Sequence, residues 1–276
     1  MPEYPKSTAY SPDSIIFPGA KEVRLVIYLS LYTNLSRGGT SLLVLEIPMA
    51  ATLKVPACIG IILDGNRRWA KENGLPAFEG HRRGMNNVES IAYAARDLGI
   101  RHMAVYAFST ENWSRSKEEV SYLMEIFEST IRERLSKFAE EHVAVRFVGQ
   151  LERFSPSLQD AMRDVEARNP AEPRHTVWVC ISYGSRAEIT QAAQAAQETD
   201  GEVTEESLAK HLWTSGMPDP DLIIRTGGEQ RLSNFLLWQG AYSELFFIKK
   251  HWPAFTKEDL EAVLAEYATR ERRMGT

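Results

Sequence analysis

The sequence predicts an α/β fold: a single domain with a central, mostly parallel six-stranded sheet flanked by helices. Three observations predict it. From Cys58 onward, short apolar runs alternate with helix-patterned stretches, as in sheets built from strand–helix–strand units. Those runs are continuously apolar, which fits strands buried on both faces. Neither a repeat nor an internal linker interrupts the alternation.

The first run, 58–63, is short and β-branched, and reads as a buried strand. Asp64-Gly65-Asn66-Arg67-Arg68-Trp69 follows it. Asn66 suits a helix cap, and Arg67 to Asn73 reads as a helix stopped by Gly74. A strand end opening a helix gathers free N–H groups and two guanidinium groups around one point, which suits a diphosphate. Asp64 amid that positive charge suits a Mg²⁺ ion bridging carboxylate and phosphate. Asp-Gly is also a strong hairpin signal, but a hairpin needs a second alternating strand, and the next residues are charged and helix-forming.

His81 follows Gly80 and reads as capping a helix over 82–98, near the same crevice, where an acid or phosphate-contact role is open to it. Strand 103–108 runs into Phe108-Ser109-Thr110-Glu111-Asn112-Trp113-Ser114-Arg115-Ser116. Ligand crevices of α/β sheets lie outside the carboxyl ends of the strands, so this segment faces the crevice of Asp64 to Arg68. Ser114 or Ser116 caps the next helix, 117–141. Val120, Leu123, Met124, Phe127, Ile131, Leu135 and Phe138 form its apolar stripe. The stripe packs on the sheet or walls a hydrophobic tunnel, since both demand one pattern.

Strand 144–148, helix 155–168, strand 176–182 and helices 186–198 and 205–212 continue the alternation. Strand 221–225 then delivers Arg225-Thr226-Gly227-Gly228-Glu229-Gln230-Arg231-Leu232-Ser233-Asn234-Phe235. Two arginines, two glycines and hydroxyls after a strand form a second diphosphate cradle, or a surface loop of paired Arg and Glu. Glu244 opens the apolar strand 244–248, a costly place for a carboxylate unless it is paired or metal-bound. Helix 257–270 precedes a basic end.

The chain has 276 residues, 43% hydrophobic, and a net charge of −5, which argues against a general nucleic-acid binder. Cys58 and Cys180 lie in apolar runs without metal-pair spacing, as expected of a reducing cytoplasm. Residues 1–48 hold Ser, Thr, Gly and Pro turns around apolar patches at 23–31 and 42–47, both short of the ~20 residues that span a bilayer. No ordered signal-peptide regions appear. Met49 opens the well-patterned part, so residues 1–48 are expected to be a start-site artefact or a poorly ordered extension, with 49–276 the catalytic domain.

Two anion cradles, a metal candidate and an apolar stripe point to a reaction between diphosphates with apolar tails. Over about residues 56–275 the chain resembles the cis-prenyltransferases of the undecaprenyl diphosphate synthase family. The resemblance rests on 64–70, Tyr106 to Trp113, Arg225 to Glu229, Arg231 to Phe235, Trp238, Glu244 and Arg270 to Gly275. It implies the family's fold, and chain extension of an allylic diphosphate primer with isopentenyl diphosphate to give Z double bonds. Asp64, with Glu244 in support, would hold Mg²⁺. Gly65, Asn66, Arg67, Arg68, Trp69 and His81 would hold the allylic diphosphate, and Arg225, Arg231 and Ser233 the isopentenyl diphosphate. Phe108, Ser109, Thr110, Glu111, Trp113 and Arg115 would position the reacting chain, with Asn112 beside Asp64 in the chemistry.

The resemblance also implies a homodimer, in which Arg273 and Gly275 reach the isopentenyl site of the partner. It implies a cytoplasmic enzyme with transient membrane-surface contact for product release, and no nucleic-acid partner. Four positions depart from the common pattern. Arg67 replaces a frequent Gly, and Ala77 replaces a diphosphate-binding Arg for which Arg82 or Arg83 would compensate. Gln230 replaces the usual His, and 182–186 reads Ser-Tyr-Gly-Ser-Arg instead of Asn-Tyr-Gly-Gly-Arg.

Overall fold

The computed structural model describes residues 24–30, 42–48 and 54–270. The chain divides into two units, 1–53 and 54–276. In the first, β1 (Arg24–Ser30) and β2 (Leu42–Pro48) form an antiparallel ladder with Arg24 opposite Pro48. The remainder of residues 1–48, like Arg273 and Gly275, lies outside the described residues.

The second unit is built on β3 (Cys58–Ile62), β4 (His102–Ser109), β5 (Val143–Val148), β6 (His175–Tyr183), β7 (Leu222–Arg225) and β8 (Glu244–Phe247). Their order is β5-β6-β4-β3-β7-β8, and every pairing is parallel. The sheet is thus wholly rather than mostly parallel. Helices α1 (Asn66–Glu72), α2 (Ala77–Asp97), α3 (Lys117–Glu133), α4 (Pro156–Ala167), α5 (Ser185–Thr199), α6 (Glu205–His211) and α7 (Lys257–Thr269) complete it.

Alternate strand residues serve two cores, as the period of two requires. Ile59, Ile61, Met103, Val105, Val177 and Val179 join the apolar faces of α2, α3, α4 and α7. Cys58, Ile62, Ala104, Tyr106, Trp178 and Cys180 join Met217, Phe235 and Leu236. Cys58 and Cys180 are free and buried, and burial raises both thiol pKa values, which leaves them protonated. The open edge of β5 is occupied by side chains. Asn169 Oδ1 and Glu166 Oε1 accept from the N–H groups of Val145 and Phe147, at 2.8 Å each. That blocks the edge against a further strand.

Three helix boundaries differ from the sequence expectation. Helix α1 begins at Asn66 with Gly65 as its N-cap, so Asn66 does not cap it, and its Nδ2 donates to the Leu63 carbonyl instead. Helix α2 begins at Ala77, so His81 lies inside it and does not cap it. Gly80 lies within α2, and a Cβ there would lie 2.0 Å from the Asn66 carbonyl oxygen, so this glycine lets α1 and α2 touch. The helix from Lys117 ends at Glu133, and 3-10 turns continue over Leu135–Glu141. Residues three apart eclipse in that geometry, which keeps Leu135 and Phe138 both in the core. Among the described residues, no helix is long and apolar enough to cross a membrane.

Candidate active site

Strand β3 occupies the centre of the winding. From it the chain moves through β4 to the β5 side of the sheet, then returns to place β7 and β8 on the opposite side. The carboxyl ends at that reversal form the crevice where α/β proteins bind ligands. Asp64 leaves β3 there, and Arg225 ends β7 beside it, level with Ile62.

The Asp64 carboxylate stands between two guanidinium groups. Arg225 Nη2 donates to Oδ2 at 2.8 Å, and Arg68 Nη2 donates to Oδ1 at 3.0 Å. Burial opposes ionisation of this carboxyl, but the hydrogen bonds and charges of Arg225 and Arg68 outweigh it and hold its pKa below the ordinary aspartate value. The main chain is fixed as tightly. Asp64 N donates to Thr226 Oγ1 (3.1 Å), Thr226 Oγ1 donates to Asp64 O (2.8 Å), and Trp252 N donates to the same oxygen (3.0 Å).

Arg225 is 5% exposed. Its Nη1 donates to Ser233 Oγ (2.7 Å) and to the Arg231 carbonyl, which ties the second cradle to the first. Its buried Nε has no hydrogen-bond partner among the described residues. Arg231 is exposed and pairs with Glu229, which also lies 3.7 Å from Arg68. Gly65 adopts φ 102°, and a Cβ there would collide with His251 Nδ1, so the turn after Asp64 requires glycine.

In front of these groups lies a cleft of about 700 Å³ walled by Leu63 to Arg68 and by His81 and Arg115. Lys71, Leu75 and Ala77 complete the wall. Ala77 opens space where a longer side chain would stand. Arg82 does not fill it, because it is exposed and bonded to Glu79. Lys71, one turn along α1 from Arg67, supplies the extra cation instead. Sequence reading missed Lys71, although its i,i+4 spacing from Arg67 was the signal. Glu119 was missed as well. It lies in the first turn of α3, where an acid ordinarily faces solvent, yet its Oε1 faces Arg115 (2.9 Å), Arg67 (3.8 Å) and His81 (3.9 Å). His81 is neutral at neutral pH: burial first, then the Arg115 and Arg67 charges, pull its pKa down to about 4 against the opposing effect of Glu119.

The segment after β4 is held from within. Ser109 and Asn112 form a reciprocal capping box around the 3-10 turn Thr110–Ser114, and Asn112 Oδ1 accepts from Ser109 N at 3.0 Å. Ser116 Oγ accepts from Glu119 N, so Ser116 caps α3. Asn234 Nδ2 donates to Glu111 Oε1 at 2.9 Å and links this turn to the β7 loop. Phe108 is a core residue, 1% exposed, packed edge-on against Trp113 and Phe127. Trp113 Nε1 donates to Ser182 Oγ, and Arg153 stacks over its ring. Trp69 does not line the cleft.

Glu244 opens β8 level with Leu222, and Leu222 is level with Ile59. It therefore stands at the entry end of the sheet, whereas Asp64 follows the exit end. The two do not meet within one chain. Arg270 Nη1 pairs with Glu244 at 2.9 Å and accounts for a carboxylate at that place.

A wholly parallel sheet with a carboxylate and converging arginines at its topological switch is an arrangement suited to a phosphorylated ligand in α/β proteins. The family described as "Putative undecaprenyl diphosphate synthase" matches residues 62–275. The isoprenyl transferase of Agrobacterium fabrum is 42% identical over 235 residues, covering 83% of this chain and 95% of that protein. The isoprenyl transferase of Thermotoga maritima is 42% identical over 228 residues, covering 81% and 98%. Lavandulyl diphosphate synthase from Lavandula x intermedia, solved with dimethylallyl diphosphate, superposes with a TM-score of 0.77 at 36% identity, covering 80% of this chain and 99% of that one. A "probable undecaprenyl diphosphate synthase" from Campylobacter jejuni gives 0.70 at 31% identity, with coverage of 80% and 99%. The chain belongs to the undecaprenyl diphosphate synthase family and is a prenyltransferase.

Proposed function

We propose that this enzyme condenses isopentenyl diphosphate onto an allylic diphosphate primer, farnesyl diphosphate in the first instance, to make a Z-polyprenyl diphosphate that serves as a carrier-lipid precursor for cell-wall synthesis. The observation that carries the reading is the Asp64 carboxylate clamped between Arg68 and Arg225, at the meeting point of two cationic loops. Arg67, Arg68 and Lys71, with the helix α1 N–H groups, take the allylic diphosphate. Arg225, Arg231 and Ser233 take the isopentenyl diphosphate. The allylic C–O bond breaks with its electron pair on the departing diphosphate. The isopentenyl double bond then joins the allylic carbon, and one proton is lost. The cationic side chains neutralise the charge that develops on the leaving group. Leu63 and Leu75 border the same cleft and favour an apolar tail over water.

The residues suit Mg²⁺. Asp64 is an ionised carboxylate in a cleft built for diphosphate, and among the described residues no group of three His, Cys, Asp or Glu offers a protein-only site. That donor set fits an ion held by one carboxylate, substrate phosphate oxygens and water. When bound, Mg²⁺ would stabilise the departing diphosphate. Glu244 would contribute only across a homodimer, in which Arg273 and Gly275 would reach the partner's isopentenyl site. Phe108 and Trp113 would shape the wall behind the reacting chain. Transient membrane contact would serve release of a lipid product, and the two free, buried thiols suit a reducing cytoplasm.

A second reading, a short or branched terpenoid diphosphate synthase, is favoured by the likeness to lavandulyl diphosphate synthase and by Ala77 and Gln230. A non-catalytic partner subunit is disfavoured by the presence of both cradles. The test is product analysis with Mg²⁺, labelled isopentenyl diphosphate and a primer series, on protein begun at Met1 and at Met49. A ladder of long Z-products from farnesyl diphosphate supports the first reading. One short product, made from a smaller primer, supports the second. No incorporation from any primer refutes both.

A further inference from the structure

Three side chains from three elements converge on one oxygen. Arg67 comes from α1, His81 from α2 and Arg115 from the turn before α3, and all three line the cleft. Their shared neighbour is Oε1 of Glu119, at 3.8, 3.9 and 2.9 Å. Among the described residues, only Arg115 makes a hydrogen bond to it. Arg67 stops short, and the buried His81 Nε2 has no hydrogen-bond partner among the described residues. A carboxylate presents two oxygens in one plane, whereas a diphosphate presents several in a wider shell. Donors that surround Glu119 without closing on it fit a larger anion better than the one they hold. Helix capping does not explain the arrangement, because Glu118 is equally placed for the helix dipole and is exposed to solvent.

We propose that Glu119 is a resident anion. In the free enzyme its carboxylate holds Arg67 and Arg115 at the position of a substrate phosphate, and the incoming diphosphate displaces it and takes over both guanidinium groups. The inference rests on the diphosphate reading of this cleft. Its physical advantage is an exchange of one anion for another. The cations do not repel one another in the free state, and substrate binding does not have to gather them. The returning carboxylate then competes with bound diphosphate and speeds its departure. Glu119 is thus a positioning residue that sets how tightly the site holds its anion.

The test is calorimetric titration of inorganic diphosphate with Mg²⁺ into wild type, Glu119→Gln and Glu118→Gln, with thermal unfolding of each to establish folding. Removing a like charge adjacent to the bound anion is expected to tighten binding roughly tenfold in Glu119→Gln, and Glu118→Gln is expected to match wild type. Steady-state kinetics add a readout that a merely structural role would not move: KM for the allylic diphosphate falls in Glu119→Gln while kcat does not rise. Glu119→Ala, which leaves no side-chain donor or acceptor, is expected to move both quantities in the same direction. Equal or weaker binding in the Glu119 variants overturns the proposal and leaves the diphosphate reading standing. Equal tightening in Glu118→Gln also overturns it, since the effect would then be one of net charge. Failure of wild type to bind diphosphate overturns the reading of the cleft, and this inference with it.

Discussion

At Asp64 a single carboxylate balances two guanidinium groups, one of them almost completely buried. Asp64→Ala is expected to lower turnover by at least about 10²–10³-fold, because the leaving diphosphate loses its principal electrostatic support. Far-UV circular dichroism should be unchanged, while urea unfolding shows a loss of about 1–3 kcal/mol from the stranded Arg225. Turnover near the wild-type rate would sink the mechanism. Of the residues gathered at this point, Asp64, Arg68 and Arg225 were legible in the sequence, since Asp64 and Arg225 lie at strand ends and Arg68 stands in the first turn of the helix that follows β3. Glu119 and Lys71 were not. Their roles depend on which helix face meets the cleft, and a charged residue on a helix usually faces solvent. Phe108 shows what register adds. By alternation it would side with Ala104 and Tyr106, but the register shift between Tyr106 and Phe108 sets its ring in the main core, packed against Trp113.

The contact between α1 and α2 is the tightest element-level constraint on the cleft. A methyl group at position 80 would lie 2.0 Å from the Asn66 carbonyl, which belongs to the main chain and cannot turn aside. Gly80→Ala should therefore cost about 2–3 kcal/mol in denaturant unfolding and raise KM for the allylic diphosphate, by moving Arg67 and Arg68 away from His81. An unchanged KM would separate the helix contact from the site. Strand β4 carries the second prediction at this scale. Ala107 is partly buried against the main core beside α3, next to Phe108. A larger side chain there should shorten the space for a growing chain, so Ala107→Leu is expected to shift products to shorter lengths. The same product distribution in both proteins would remove Ala107 from chain-length control. The elements themselves were readable because apolar runs and helical periodicity are local. Their ends were not: the helix from Ala77 passes through Gly80 because packing favours it, and the stripe of α3 outlasts the α-helix as 3-10 turns.

For the whole molecule, the response to acid follows from two histidines, His175, buried at the start of β6, and the partly buried His81. Burial is the first cause of the shift at both, and the pKa of each falls to about 4. An unfolded histidine takes up its proton near pH 6.5. Between about pH 6.5 and 4 the unfolded chain therefore binds more protons than the folded one, and stability falls as pH falls through that window. Below it Asp64 adds to the loss. Its folded pKa is depressed, so the stability it contributes is present above the ordinary aspartate value and disappears as pH falls through the folded one. Melting temperatures from pH 7 to 4 should decline, with a shallower slope in His81→Gln and in His175→Gln. An unaltered slope in both variants would refute this account.

The sequence by itself determined the order of strands and helices, the parallel character of the sheet, the two cationic loops after β3 and β7 and the family to which the chain belongs. All of these are written in spacing along a short stretch of chain. Tertiary structure alone decided that Arg225 closes on a carboxylate 161 residues away. It also decided that Glu119 sits among three donors, that Gly80 is a helix contact, and that Glu244 lies at the far end of the sheet from Asp64. The physical reason is that strand order and register set those distances. A buried charge finds its partner by where the sheet places it, which no local pattern encodes.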